Sequence, residues 1–278
     1  MTNQTGNANR TVNARRWVAA GTAVAASLVS VSAATAVPLH PDQYVMASSP
    51  VILIASEGGE GGEAGVTDTD TDDVAYLTGL GLIEGEVRAA IALHEAGEPE
   101  VAQTYLYRPG DEVYEQLQPG LKARGENGLA ATIAELKSAA EDNANPDRLK
   151  QAHASFEAAI KTAGNLAKSG NKSRAMAIAS LMRFAAKEYA AAYDDTKLEN
   201  ATEYHHSWGF LQVARRMAED LSTSADQPTA DAARAILEQI DMSAKAWPDL
   251  TAPEKQVMDP SVLHGAAARV EIAALKVK

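Results

Sequence analysis

The feature that most constrains the fold is a helical spacing of apolar residues that begins at Val74 and continues toward the C-terminus. In the first such segment, apolar residues such as Leu77, Leu80 and Val87 recur three or four positions apart. This spacing places side chains on one face of an α-helix, whereas a strand requires strict alternation. The sequence offers no convincing alternating run of β-branched residues. We therefore predict a helical domain over residues 74–278.

Composition agrees with this prediction. Hydrophobic residues make up 46% of the 278 residues, but aromatic residues make up only 5%, and alanine is abundant. Such a composition favours helices over sheets. Gly97, Asn143–Pro146 and Gly170–Asn171 divide the region into helical segments, and Pro119–Gly120 is expected to interrupt another. We predict an all-α fold, a single bundle of roughly seven to eight helices with mostly short connections.

The first 36 residues have the arrangement of a secretory signal peptide. Residues 1–16 carry three arginines and no acidic residue, and residues 17–36 are apolar and mostly small. The apolar stretch ends in Ala34-Thr35-Ala36, which resembles a signal-peptidase cleavage site. We predict a periplasmic or secreted protein without stable membrane insertion after cleavage. Arg15–Arg16 leaves twin-arginine export open, and an uncleaved anchor is the alternative.

A flexible linker is predicted over residues 37–73. It contains the run EGGEGGEAG at 57–65 and the run TDTDTDD at 67–73. Sequence of this kind cannot bury enough apolar surface to order itself, although its carboxylates can attract cations weakly. At the end of the linker, Asp72 or Asp73 is expected to cap the first helix.

The formal charge of −12 and the absence of cysteine restrict the function. Negative charge disfavours nucleic acid and anionic membranes as partners and suits metal cations or basic proteins. Without cysteine, disulfides, thiolate metal sites and a cysteine nucleophile are excluded. The sequence also lacks a nucleophile elbow, a zinc-protease helix motif and a phosphate-binding glycine loop, so we do not favour an enzyme.

Histidines within apolar stripes are the main candidates for binding chemistry. His94, His153 and His206 each lie on such a stripe, and a buried imidazole needs a hydrogen bond or a metal. Glu203 and His206 form a Glu-x-x-His unit, which helix bundles use at di-iron carboxylate sites. Those sites need the unit on two helices, and it occurs here once. A mononuclear or transport-type site therefore fits better than a di-iron centre.

These residues predict a site for a transition metal, iron or copper, assembled from several helices. The candidate ligands are Glu203, His206, His94, His153, Glu84 and His264. Local pairing is the alternative, because Glu84 precedes Arg88 by four residues, as His153 precedes Glu157. His205 is expected on the flank of its helix and to matter less than its neighbour.

The hypothesis from sequence is an exported helical protein that binds a transition-metal cation for uptake or buffering. The export signal, the negative charge and the histidines on several helices motivate it. The alternative is a cofactor-free scaffold or adaptor of the cell envelope, which predicts an exposed apolar patch. The first hypothesis requires at least three candidate ligands to converge, and the second does not.

Overall fold

The computed structural model describes residues 66–107, 111–141, 145–168, 170–250 and 253–278. The predicted signal peptide and most of the predicted linker lie outside these residues. Within them the chain is all-α, as predicted, and has nine α-helices, which is more than the seven to eight expected. The described residues all belong to one compact unit.

Most of the helices follow one another with short connections. They are α1 Asp73–Glu95, α2 Pro99–Tyr107, α3 Asp111–Arg124, α4 Leu129–Glu141, α5 Pro146–Leu166, α6 Asn171–Ala191, α7 Ala201–Ser222, α8 Gln227–Ser243 and α9 Pro260–Ala274. A 3-10 turn, Ala244–Ala246, follows α8. A two-residue antiparallel pair, β1 Tyr193–Asp194 and β2 Lys197–Leu198, joins α6 to α7.

Side-chain caps fix where five of these helices begin. In each case the oxygen of an Asp or Asn side chain accepts a hydrogen bond from a backbone N–H in the first turn, which satisfies a donor that the helix leaves open. The capping residues are Asp72, Asn145, Asn200, Asp226 and Asp259. The predicted cap at the start of α1 is thus confirmed and belongs to Asp72, which accepts from Val74 N at 2.7 Å.

The centre of the described domain is α1, which packs against α2, α3, α5, α6 and α7. It crosses α7 at Gly85 and Gly209, where neither helix has room for a side chain. A Cβ added to Gly209 would lie 2.1 Å from the carbonyl oxygen of Gly85. The helix α6 lies against α1, α7 and α9, and it has buried residues along most of its length.

The predicted interruption at Pro119–Gly120 is wrong, because α3 continues through both residues. Proline removes one backbone hydrogen bond, but contacts from the segment before α1 stabilise this part of the helix. The N–H of Gly120 donates to the hydroxyl of Thr69 at 3.2 Å. Arg124 then donates to the carbonyl oxygens of Thr69 at 2.7 Å and Gly120 at 3.1 Å.

Candidate functional site

A buried carboxylate, Glu84, lies in the middle of α1 with its side chain only 4% exposed. Arg88, one turn further along α1, donates from Nε to Glu84 Oε1 at 2.9 Å. Arg216 of α7 donates from Nε to Oε1 at 2.9 Å and from Nη2 to Oε2 at 2.7 Å. Glu84 therefore binds both arginines and ties α1 to α7, because a buried charge needs paired, hydrogen-bonded partners.

The pairing extends to α5 and along α7. Arg88 Nη2 donates to Glu157 Oε1 at 2.9 Å, and Arg216 Nη1 donates to Asp220 Oδ2 at 3.2 Å. His153 Nε2 lies 3.7 Å from Glu157 Oε1, and this buried nitrogen has no hydrogen-bond partner among the described residues. We call this group the Glu84 cluster; its members are Glu84, Arg88, His153, Glu157, Arg216 and Asp220.

Burial and charge act in opposite directions within the Glu84 cluster. Burial lowers the pKa of His153, and the nearby carboxylate of Glu157 only partly opposes that effect. Burial also works against the charge of Arg216, but the carboxylate of Glu84 more than offsets it, so the pKa of Arg216 is raised. Arg216 thus stays charged, and burial favours the neutral form of the histidine.

A cleft of about 550 Å³ opens beside the Glu84 cluster. Its walls come from α1, α5, α6 and α7. The charged residues that line it are Glu84, Arg88, Glu157, Lys161, Arg174, Arg216 and Asp220. The amide side chains of Asn165 and Asn171 and several apolar residues complete the lining.

A second polar centre surrounds His205 at the start of α7. This residue is 5% exposed. Its Nε2 lies 2.7 Å from the carbonyl oxygen of Leu250, and its Nδ1 lies 2.8 Å from the hydroxyl of Tyr105. A carbonyl can only accept, so Nε2 carries the proton and Nδ1 accepts from Tyr105. Burial lowers the pKa of His205, although the bond to Leu250 partly opposes this, and burial raises the pKa of Tyr105.

The expectation that His205 lies on the flank of its helix is wrong. His205 is buried, whereas its neighbour His206 is partly exposed. The reason is the loop after α8, which covers the start of α7 and gives that helix a second buried side. Tyr204 donates to the carbonyl of Asp249 at 2.7 Å, and Trp247 Nε1 donates to Ser207 Oγ at 2.8 Å.

The other predicted ligands occupy varied environments. Glu203 is partly exposed and accepts from Asn200 Nδ2 at 3.2 Å, near the start of α7. His94 is partly exposed near the end of α1, and His264 is exposed on α9. Across residues 66–278, leaving aside those that are not described, no three histidine or acidic side chains form a group that could hold a metal ion. The metal-ligand assignment stays a prediction, while the Glu84–Arg88 pair is confirmed.

The partners that sequence reasoning missed come from distant parts of the chain. Arg216 is 132 residues away from Glu84, and Leu250 is 45 residues away from His205. A glutamate inside an apolar stripe signals that a cation must lie opposite, because an unpaired buried carboxylate is too costly. That signal does not say which arginine supplies the charge.

Comparison with known families gives a match to the C-terminal part of the chain. Residues 167–277 match the family model of the iron permease-associated 4-helix bundle domain. The match spans four helices, α6 to α9, and takes in less than half of the chain. Comparisons with curated proteins and with solved structures found no match.

The helices were also assessed for their ability to cross a membrane. None of those in the described residues is both long enough and apolar enough to do so.

Proposed function

We propose that this protein is an exported helical component of an iron-uptake system and acts beside an iron permease in the membrane. The observation that carries the proposal is the match of α6 to α9 with a bundle domain associated with iron permeases. The formal charge of −12 supports it, because an acidic protein attracts cations. Of the two metals that the sequence left open, the match favours iron over copper.

Association with the permease is tested by cross-linking in cells that produce both proteins. We expect the permease to be recovered with this protein after membranes are solubilised and the protein is purified. Cells that express a soluble helical protein of similar charge provide the control for non-specific capture. If the permease is absent from the cross-linked material at native expression levels, an action beside the permease is contradicted.

Direct contact with the metal is the finer part of the proposal. Glu203 and His206 lie one turn apart near the start of α7, and both are partly exposed. Carboxylate and imidazole are ligands that iron accepts. Two protein ligands hold a metal weakly, and weak binding suits a protein that passes iron on to a permease rather than storing it.

The melting temperature in ferrous iron, under nitrogen, tests this contact on protein purified without a histidine tag. Because binding to the folded state stabilises it, we expect the melting temperature to rise with iron concentration. Glu203→Gln should lose most of that rise. Glu238→Gln, which changes an exposed carboxylate of α8, should keep it. A melting temperature that iron leaves unchanged would contradict direct binding.

A second candidate function is that of an adaptor that binds envelope proteins without metal. It is favoured by large apolar side chains that are about half exposed on α9, just after it and in the loop before it. They are Val257 at 50%, Val262 at 48%, Ile272 at 59% and Leu275 at 59%. Exposed apolar surface marks protein contacts when it forms a patch.

The same cross-linking experiment separates the two candidates. An adaptor loses its partner when Ile272→Glu places a charge on α9, and iron has no effect on that interaction. Ala235→Glu adds the same charge at an exposed position of α8 and serves as the control. Equal recovery of the permease with both variants would exclude this part of α9 as the contact.

A further inference from the structure

The cleft beside the Glu84 cluster has two kinds of cation. The charges of Arg88 and Arg216 are neutralised in ion pairs with the three carboxylates of Glu84, Glu157 and Asp220. Arg174 and Lys161 also line the cleft. Within the described part of the chain neither of these two side chains forms a hydrogen bond or an ion pair. The cleft thus presents two cations without a protein anion to neutralise them.

The unpaired charges belong to a basic stretch of an otherwise acidic chain. Between Glu157 and Glu188 there is no acidic residue. The basic residues in that stretch are Lys161, Lys168, Lys172, Arg174, Arg183 and Lys187. This stretch therefore carries an excess of positive charge, whereas the whole chain has a formal charge of −12. It locates positive potential at the end of α5 and along α6, where the cleft opens.

Arg174 is partly buried. Removing part of its guanidinium from water costs free energy, which an anionic ligand would offset. A guanidinium has five N–H donors in a planar fork that matches a carboxylate or a phosphate. The amide side chains of Asn165 and Asn171 line the same cleft and can add donors. The start of α6 can add backbone donors. Its cap, Gly170, has no side chain that could accept hydrogen bonds from the N–H groups of the first turn.

We infer that this cleft binds a small oxyanion with two or more negative charges, a polycarboxylate or a phosphate. Arg174 would pair with one anionic group of the ligand, and Lys161 would neutralise the other. The volume of about 550 Å³ is within the range of small-molecule sites and favours a soluble anion over a membrane surface. The Glu84 cluster forms one wall of the site, in which each carboxylate is already paired. The inference rests on the cleft alone and is independent of the role in iron uptake.

Isothermal titration calorimetry with inorganic phosphate and with citrate, at low ionic strength and without metal, tests the inference on the purified protein. We expect at least one anion to bind, with a Kd that rises with added salt because the contact is electrostatic. Arg174→Gln should raise that Kd by about tenfold or more. The variant should melt no lower than the parent protein, since Arg174 has no protein partner to lose.

Arg234→Gln is the matched control, because Arg234 pairs with Asp231 on α8 and does not line the cleft. Its affinity for the anion should equal that of the parent protein. Binding of phosphate alone or of citrate alone supports the inference and tells which class of anion fits. No binding of either anion, equal affinity in the two variants, or binding only to phosphatidylglycerol vesicles would overturn it.

Discussion

At the scale of single residues, His205 connects three parts of the chain. Its ring accepts from Tyr105 of α2 and donates to the carbonyl of Leu250 in the loop after α8, while its backbone belongs to α7. Protonation would place a second N–H on Nδ1, where the hydroxyl of Tyr105 now donates. The neutral imidazole is therefore the form that the fold stabilises, in agreement with the lowered pKa of His205.

This environment predicts that stability falls on acidification. Because the pKa of His205 is lower in the folded protein than its ordinary value of 6.5, the unfolded chain binds more protons below about that pH. The free energy of unfolding should therefore decrease as pH falls from about 7.5 to about 5.5. Urea denaturation at several pH values measures this free energy. His153, whose pKa burial also lowers, should contribute in the same direction.

His205→Gln should make the pH dependence shallower, since one of the two shifted imidazoles is gone. His264→Gln removes an exposed imidazole of α9 and should leave the parent dependence in place. If the two variants have the same pH dependence as the parent protein, protonation of His205 does not contribute to it.

Local spacing predicts contacts within one helix but not those between helices. The pair Glu84 and Arg88 follows from a separation of four residues, and the structure confirms it. No local spacing pairs Arg216 with Glu84, yet it forms the bidentate contact to that carboxylate. His205 was misplaced for a related reason, because the loop that buries it is 45 residues away. Such contacts depend on tertiary packing, which periodicity does not encode.

At the scale of elements, the helices could be predicted well because their signals are local. The apolar spacing locates α1, α5 and α7, and an aspartate or asparagine before each of them marks its start. The pair β1–β2 was missed because two residues per strand give no periodicity. Its turn requires positive φ at Asp195 (46°) and Thr196 (80°), which threonine rarely adopts.

The crossing of α1 and α7 yields a prediction about packing. A Cβ at position 209 would lie 2.1 Å from the carbonyl oxygen of Gly85, and a backbone atom cannot move aside cheaply. Gly209→Ala should therefore lower the free energy of unfolding by about 2 kcal/mol or more. Chemical denaturation measures the change.

Gly164→Ala is the control for the general effect of replacing a helical glycine. A Cβ there meets nothing within 4 Å, and Gly164 lies inside α5. This variant should gain about 0.5 to 1 kcal/mol, because alanine is the better helix former. Destabilisation of similar size at both positions would mean that the close helix crossing is not the reason why Gly209→Ala is destabilising.

At the scale of the whole molecule, the described fold is a four-helix segment with further helices packed against it. The segment α6 to α9 matches the iron permease-associated bundle domain, and α1 lies outside the match but packs against α6 and α7. Glu84 of α1 and Arg216 of α7 join the two parts through an ion pair whose carboxylate is buried. The helices before α6 therefore belong to the same core as the matched region.

The all-α class could be predicted from composition and spacing, and a role in metal uptake agrees at a coarse level with the family match. The specific set of ligands could not be predicted in the same way, because metal coordination depends on distances between helices. Among the described residues no three candidate side chains form a group for a metal ion.

The central proposal is tested most directly by the initial rate of radioactive iron uptake in iron-starved cells. Cells that lack this protein but retain the permease are compared with their parent strain and with cells in which the gene is restored. We predict slower uptake without the protein and recovery of the parental rate on restoration, with manganese uptake unchanged as the control. An unchanged rate of iron uptake in cells that lack the protein would contradict the proposal.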